Sequence, residues 1–216
     1  MNLYLVRHGA STGNTPGNLI GWSDHPLSAA GEAQARAVAA RLAPLGPMPI
    51  YCSDLPRALA TAQHIAAVWT SAGVTQRLDH AINLDPRLRE VNIGKYEGSS
   101  WEDFVADTEL NAALKADPFN TLVPDGESAA LLSARVLAAV NEIVAATPND
   151  MPDVCLVAHD GPIRAIINHY LGVPPEKWWT VSTAHGGLSL LEFTDSWISV
   201  RFVNDTSHLD GVDYKL

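Results

Sequence analysis

Leu3-Tyr4-Leu5-Val6-Arg7-His8-Gly9-Ala10-Ser11-Thr12-Gly13-Asn14 is the stretch around which the rest of the chain is read. Leu3 to Val6 is an apolar run with no alternating polar face, which suits a strand covered on both sides in a mostly parallel sheet. It stops abruptly at Arg7 and His8. Ligands of open α/β sheets bind beyond the carboxyl ends of strands, so a guanidinium and an imidazole at this point mark a crevice. Gly9 and Gly13 free the backbone, Ser11, Thr12 and Asn14 add short polar groups, and such a loop brings N–H donors close to an anion. On these residues alone, a strand end with a capping arginine and a turn is an equally good reading.

The same design returns late in the chain. Val154-Cys155-Leu156-Val157-Ala158 is a second buried-strand run, ending on His159-Asp160-Gly161-Pro162, and Pro162 suits the first turn of a helix through Ile163, Ile166 and Ile167 to Gly172. Between the two runs, Ser28 caps a helix with Glu32 in its first turn and Ala35, Val38, Ala39 and Leu42 on its apolar face. Ile50 to Ser53 reads as a strand leading through Asp54-Leu55-Pro56-Arg57 into a helix that stops at Gly73. Arg57 in a first helical turn is better placed to bind an anion than to stabilise its own helix, although a surface pair with Asp54 is the plainer alternative. A short strand is expected near Gln76 to Leu78. Glu90 falls in a glycine-containing loop, Leu88 to Gly98, where pairing with Arg87 or Arg89 is its ordinary fate. Ser99 or Ser100 caps a short helix through Trp101 and Phe104, and an Ala-rich segment runs on to Lys115 and a break at Asp117-Pro118. Leu131, Leu132, Val136, Val140 and Ile143 define a further amphipathic helix, and Leu188–Phe193 with Ile198–Val203 a closing hairpin. Trp22 reads as a packing anchor, and His169, His185 and His208 as ordinary polar residues.

A chain of 216 residues with 47% hydrophobic content supports one domain, residues 1–216. The balance of 14 Lys plus Arg against 24 Asp plus Glu, net −10, argues against nucleic acid or an anionic membrane as partner. An anionic substrate must therefore meet locally concentrated positive charge. Cys52 and Cys155 lie in apolar segments and read as core thiols of a reducing compartment, with a disulfide left open. No apolar run approaches membrane-spanning length and no leader pattern precedes the first strand, so a soluble, cytoplasmic protein is expected. Paired metal-ligand spacings are missing.

In order along the chain, these elements resemble the signatures of the histidine phosphatase superfamily, the phosphoglycerate mutase-like proteins: Arg7-His8-Gly9 with Ser11 and Asn14; Pro26-Leu27-Ser28 with Gly31; Ser53 to Ala58 with Thr61-Ala62; Leu88-Arg89-Glu90 with Glu97-Gly98; Pro124 to Ser128; and Val157-Ala158-His159. Ala10 stands where the family usually has Glu or Gln, and Asp160 where many members have a small residue. The resemblance implies a three-layer α/β/α sandwich, with a mostly parallel central sheet, helices on both faces and a small cap insertion over about residues 99–123. It implies His8 as nucleophile and Glu90 as proton donor. Arg7, Arg57, His159 and Asn14 would bind the phosphoryl group, with Ser11, Gly21, Asp160 and Gly161 as further binding positions. No metal or cofactor is implied, the partner is a small phosphorylated metabolite, and a homodimer is left open. The short, acidic insertion and Arg89-Glu90-Val91-Asn92-Ile93-Gly94 point to a phosphatase rather than a mutase, and Phe202 to Leu209 resembles the α-ribazole phosphatase branch. Three alternatives stand beside this reading: mutase-type phosphoryl transfer, a metal-dependent hydrolase with His8, His159 and Asp160 as ligands, and a non-catalytic phospho-ligand module.

Overall fold

The strand runs read from the sequence join a single sheet. In the computed structural model, which describes residues 1–71, 82–147 and 153–212, the strands are β1 (Asn2–Arg7), β2 (Ile50–Cys52), β3 (Ile82–Leu84), β4 (Asp153–Ala158), β5 (Leu188–Phe193) and β6 (Ile198–Asp205). Their order across the sheet is β3-β2-β4-β1-β5-β6. β1, β2, β3 and β4 are parallel, whereas β5 runs antiparallel to β1 and β6 antiparallel to β5. Gln76 to Leu78 and the helix stop at Gly73 lie outside the described residues.

The apolar runs are continuous because both faces of the sheet are covered. Leu3, Leu5, Val154 and Leu156 pack on one side, against Leu132, Val136, Ile163 and Ile166 of helices α5 (Ala129–Ala146) and α6 (Asp160–Leu171). Tyr4, Val6, Cys155 and Val157 point the other way, onto Val38, Leu42, Ile65 and Trp69 of α1 (Ala29–Leu42) and α2 (Pro56–Ser71). This is the period-two alternation of a strand, with both phases buried. The two cysteines are buried and free.

Two expectations are corrected. Leu131 is 54% exposed, because the buried stripe of α5 runs through Leu132, Val136, Val140 and Ile143. That helix is also long and apolar enough, by length and composition, to cross a membrane, contrary to the reading that no such run exists; here its stripe packs into the core.

Residues 99–123 carry two short helices, α3 (Trp101–Ala106), capped by Ser100, and α4 (Thr108–Ala116), capped by Asp107. Leu110 and Val123 join Tyr96 in a small separate core with Leu19, Phe104 and Leu114 around it. The insertion is thus pinned to the loop that carries Glu90.

Candidate active site

Sheet register assembles the site. β1 and β4 pair in parallel with Arg7 beside Ala158, so His8 and His159 emerge side by side, with ring centroids 4.8 Å apart. β2 pairs with β4 through Cys52 and Val157, which puts Ser53 and the start of α2 at the same edge. Because β5 is antiparallel to β1, with Leu188 beside Val6, the residues just before β5 return to this edge as well.

His8 is 2% exposed and held at both ring nitrogens. Nδ1 lies 2.7 Å from the carbonyl oxygen of Gly9, an atom that only accepts, so Nδ1 carries the proton. Nε2 then has the lone pair, and accepts from Nε of Arg57 at 3.3 Å. The backbone behind it is anchored by the Gly9 N–H donating to Thr61 Oγ1 at 3.1 Å. The ring is held well below the ordinary histidine pKa, first by burial, then by His159 and His185, and only then by Arg57 and Arg7. Desolvation thus outranks the charges of the two arginines.

Arg57 is 1% exposed and pairs with no carboxylate in its first turn: Asp54 binds Arg89 instead. Its guanidinium donates to the carbonyls of Gly21 at 2.6 Å and Ser23 at 2.9 Å. Glu97 in turn accepts from the backbone N–H groups of Gly21, Trp22 and Ser23. Gly21 therefore gives its donor to Glu97 and its acceptor to Arg57, and its place is behind the arginine rather than in the ligand space. Ser11 similarly donates its N–H and hydroxyl to Asn14 Oδ1, at 2.8 and 2.7 Å, closing the loop after His8.

Glu90 escapes its ordinary fate. Arg87 binds Asp85 and Glu142, Arg89 binds Asp54, and among the described residues the Glu90 carboxylate accepts only backbone N–H bonds, from Val91 at 2.8 Å and Gly161 at 3.1 Å. Burial raises its pKa first, Asp160 second, against the Val91 N–H and the more distant Arg7 and Arg57. Arg135, a residue the sequence did not single out, fixes the loop by donating to the carbonyls of Arg87, Arg89 and Glu90 at 2.7–2.8 Å. Trp22 donates its indole N–H to the Glu90 carbonyl, so it anchors this loop too.

His159 is fully buried, with Nε2 2.8 Å from Ser53 Oγ. Its Nδ1 and the Nε of Arg7 are buried and have no hydrogen-bond partner among the described residues. Asp160 accepts from Arg164 at 2.6 Å and from the N–H and hydroxyl of Thr183 at 2.8 and 2.9 Å. With its oxygens so engaged, it does not join His8 and His159 as a ligand set, and the described residues contain no cluster of three His, Cys, Asp or Glu side chains suited to a metal ion. Arg7 donates to the carbonyl of Thr183 and, at 3.1 Å, to Nε2 of His185, and lies 3.8 Å from Asp160.

A profile of the histidine phosphatase superfamily (branch 1) matches residues 3–206. The chain belongs to this superfamily. Among its relatives, the probable phosphoglycerate mutase GpmB of Enterobacter sp. (strain 638) is 33% identical over 98% of this chain and 96% of that protein. The mycobacterial glucosyl-3-phosphoglycerate phosphatase is 28% identical, with a TM-score of 0.79 over 95% of this chain and 99% of that one. The α-ribazole phosphatase of Shigella flexneri shares the fold, at a TM-score of 0.79 and 24% identity over 95% and 96% of the two chains.

Within this superfamily member, the sequence missed His185. Read as an ordinary polar residue, it stands 5.3 Å from the His8 ring, accepts from Arg7, and has its pKa lowered to about 3 by burial, then by Arg7 and Arg57. Only its neighbours Gly186 and Gly187 hinted at a special backbone. A cavity of about 600 Å³ opens beside Glu90, Asp160, Gly161 and Arg164, and α3, α4 and the turn at Pro175–Thr180 complete its walls.

Proposed function

We propose that the protein hydrolyses the phosphomonoester of a small metabolite through a phosphohistidine on His8. The observation that carries this is the pairing of a neutral His8, proton on Nδ1 and lone pair on Nε2, with a Glu90 carboxyl whose pKa burial raises and which the described arginines do not salt-bridge. In the first step Nε2 attacks phosphorus in line, the bond from phosphorus to the ester oxygen breaks, and the Glu90 carboxylic acid gives its proton to the leaving alcohol. In the second, Glu90 as carboxylate takes a proton from water while the water oxygen attacks phosphorus, and His8 leaves. Arg7 and Arg57 supply fixed positive charge to the equatorial oxygens, so stabilisation is largely electrostatic. The unpartnered His159 Nδ1 and Arg7 Nε support this placement, since a buried polar atom is stabilised by gaining a partner. Asn14 adds a neutral group at the loop.

Mutase-type phosphoryl exchange is the competing reading, favoured by the name of the GpmB relative. Phosphate release from a panel of phosphomonoesters in excess EDTA, with His8→Ala as control, tests both. Release by the native protein and not by the variant is the expected result. Exchange between phosphoglycerates without release would establish the mutase instead, and a bound ester with no phosphohistidine would leave a binding module.

A further inference from the structure

We infer that the alcohol half of the substrate is an apolar, ring-bearing group that carries no second negative charge, an inference that rests on the phosphatase reading above and names the substrate class of that site. The cavity lies against Glu90 and Gly161. Glu90 must reach the ester oxygen to protonate it, so whatever fills this space is the group attached to that oxygen.

The walls state what that group is. Trp101 and Phe104 from the cap, Leu114, Leu132, and Trp178 and Trp179 from the turn after α6 line the cavity. Trp101 stacks on Phe104 at 5.4 Å with only 22° between the planes, and it remains 51% exposed. Trp179 is 63% exposed, with the Arg164 guanidinium 4.8 Å from its ring centre. Two large exposed indoles on separate elements of one cavity offer flat apolar surface that a ring would cover.

The charges of the cavity exclude a second anion. Its carboxylates are Glu90, Glu127, Asp160 and Glu176; its cations are Arg164 and Lys115. Arg164 is already committed to Asp160 at 2.6 Å and to the Val181 carbonyl at 2.5 Å. Lys115 is exposed on the cap. A carboxylate on the alcohol would lose its water and gain no buried cation, so it would be rejected.

The test compares kcat/KM for 2-phenylethyl phosphate and 3-phosphoglycerate, both esters of alkyl alcohols, so that leaving-group reactivity does not decide the outcome. Phosphohistidine on His8 is trapped in parallel by rapid quench into denaturing alkali, where the phosphorus–nitrogen bond survives. The expected preference is about 100-fold for the phenylethyl ester, and Trp101→Ala and Trp179→Ala should each cut that ratio by about tenfold. Both tryptophans are largely exposed, so the variants fold. Equal or faster turnover of 3-phosphoglycerate, or a ratio unmoved in both variants, overturns the substrate class while the trapped phosphohistidine upholds the phosphatase. If no ester yields phosphohistidine, both readings fall.

Discussion

Glu90 shows how a carboxyl is set apart by what it lacks. The arginines nearest in sequence are drawn off by Asp54, Asp85 and Glu142, and the carboxyl is left to burial. Its raised pKa means that the folded protein holds a proton which the unfolded chain has released. Above the ordinary value of 4.5, therefore, ionising Glu90 costs stability, and that cost grows as pH rises through the folded value. Glu90→Gln keeps an acceptor for the Val91 and Gly161 N–H groups and removes the charge. Its melting temperature should exceed that of the native protein at pH 7.5, with the gap closing toward pH 4.5. Turnover of an alkyl phosphate should fall by about 100-fold or more, as expected for loss of a general acid, with a smaller loss for 4-nitrophenyl phosphate, whose leaving group needs no proton. An equal loss on both esters would remove Glu90 from the acid role.

At the scale of the element, the start of α6 is fitted to Glu90. Gly161 donates its N–H to that carboxylate, and a Cβ there would run into Glu90 Oε1. Gly161→Ala should therefore leave thermal unfolding close to native, since alanine is favoured in helices, yet lower kcat by about 100-fold through a displaced acid. Arg135→Met should act on the same loop from behind, releasing the carbonyls of Arg87, Arg89 and Glu90; a drop in kcat with KM little changed would mark it as a positioning residue. The elements themselves were legible where chemistry is local. Arg7-His8 and His159 each close an apolar run, and Ser28 and Ser100 cap their helices. β3 was not read, because Ile82-Asn83-Leu84 is too short for a period and exists by pairing with β2. His185 was misread for the same kind of reason. Its place beside His8 comes from the antiparallel pairing of β5 with β1, a long-range fact with no local signature.

The whole molecule carries the consequence of keeping histidines neutral inside it. His8, His159 and His185 all sit below the ordinary value of 6.5 in the folded state, each through burial first. Above pH 6.5 neither state protonates them; below it the unfolded chain takes up protons that the folded one refuses, so stability falls as pH falls. Each such histidine contributes a slope of at most about 1.4 kcal/mol per pH unit. Glu90 works in the opposite sense, so part of the loss is masked until its charge is removed. The depressed carboxylates Asp54, Asp85 and Glu97 act only below their ordinary values of 3.8 and 4.5, leaving the interval from pH 6.5 to about 5 to the histidines and Glu90. Urea midpoints measured across that interval should decline, more steeply in Glu90→Gln and less steeply in His185→Gln. Saturating inorganic phosphate should flatten the decline, because an anion among the imidazoles favours their protonated forms. A midpoint that stays level in all three proteins would mean that the imidazoles take up protons without unfolding, and that a neutral His8 is not what the fold enforces.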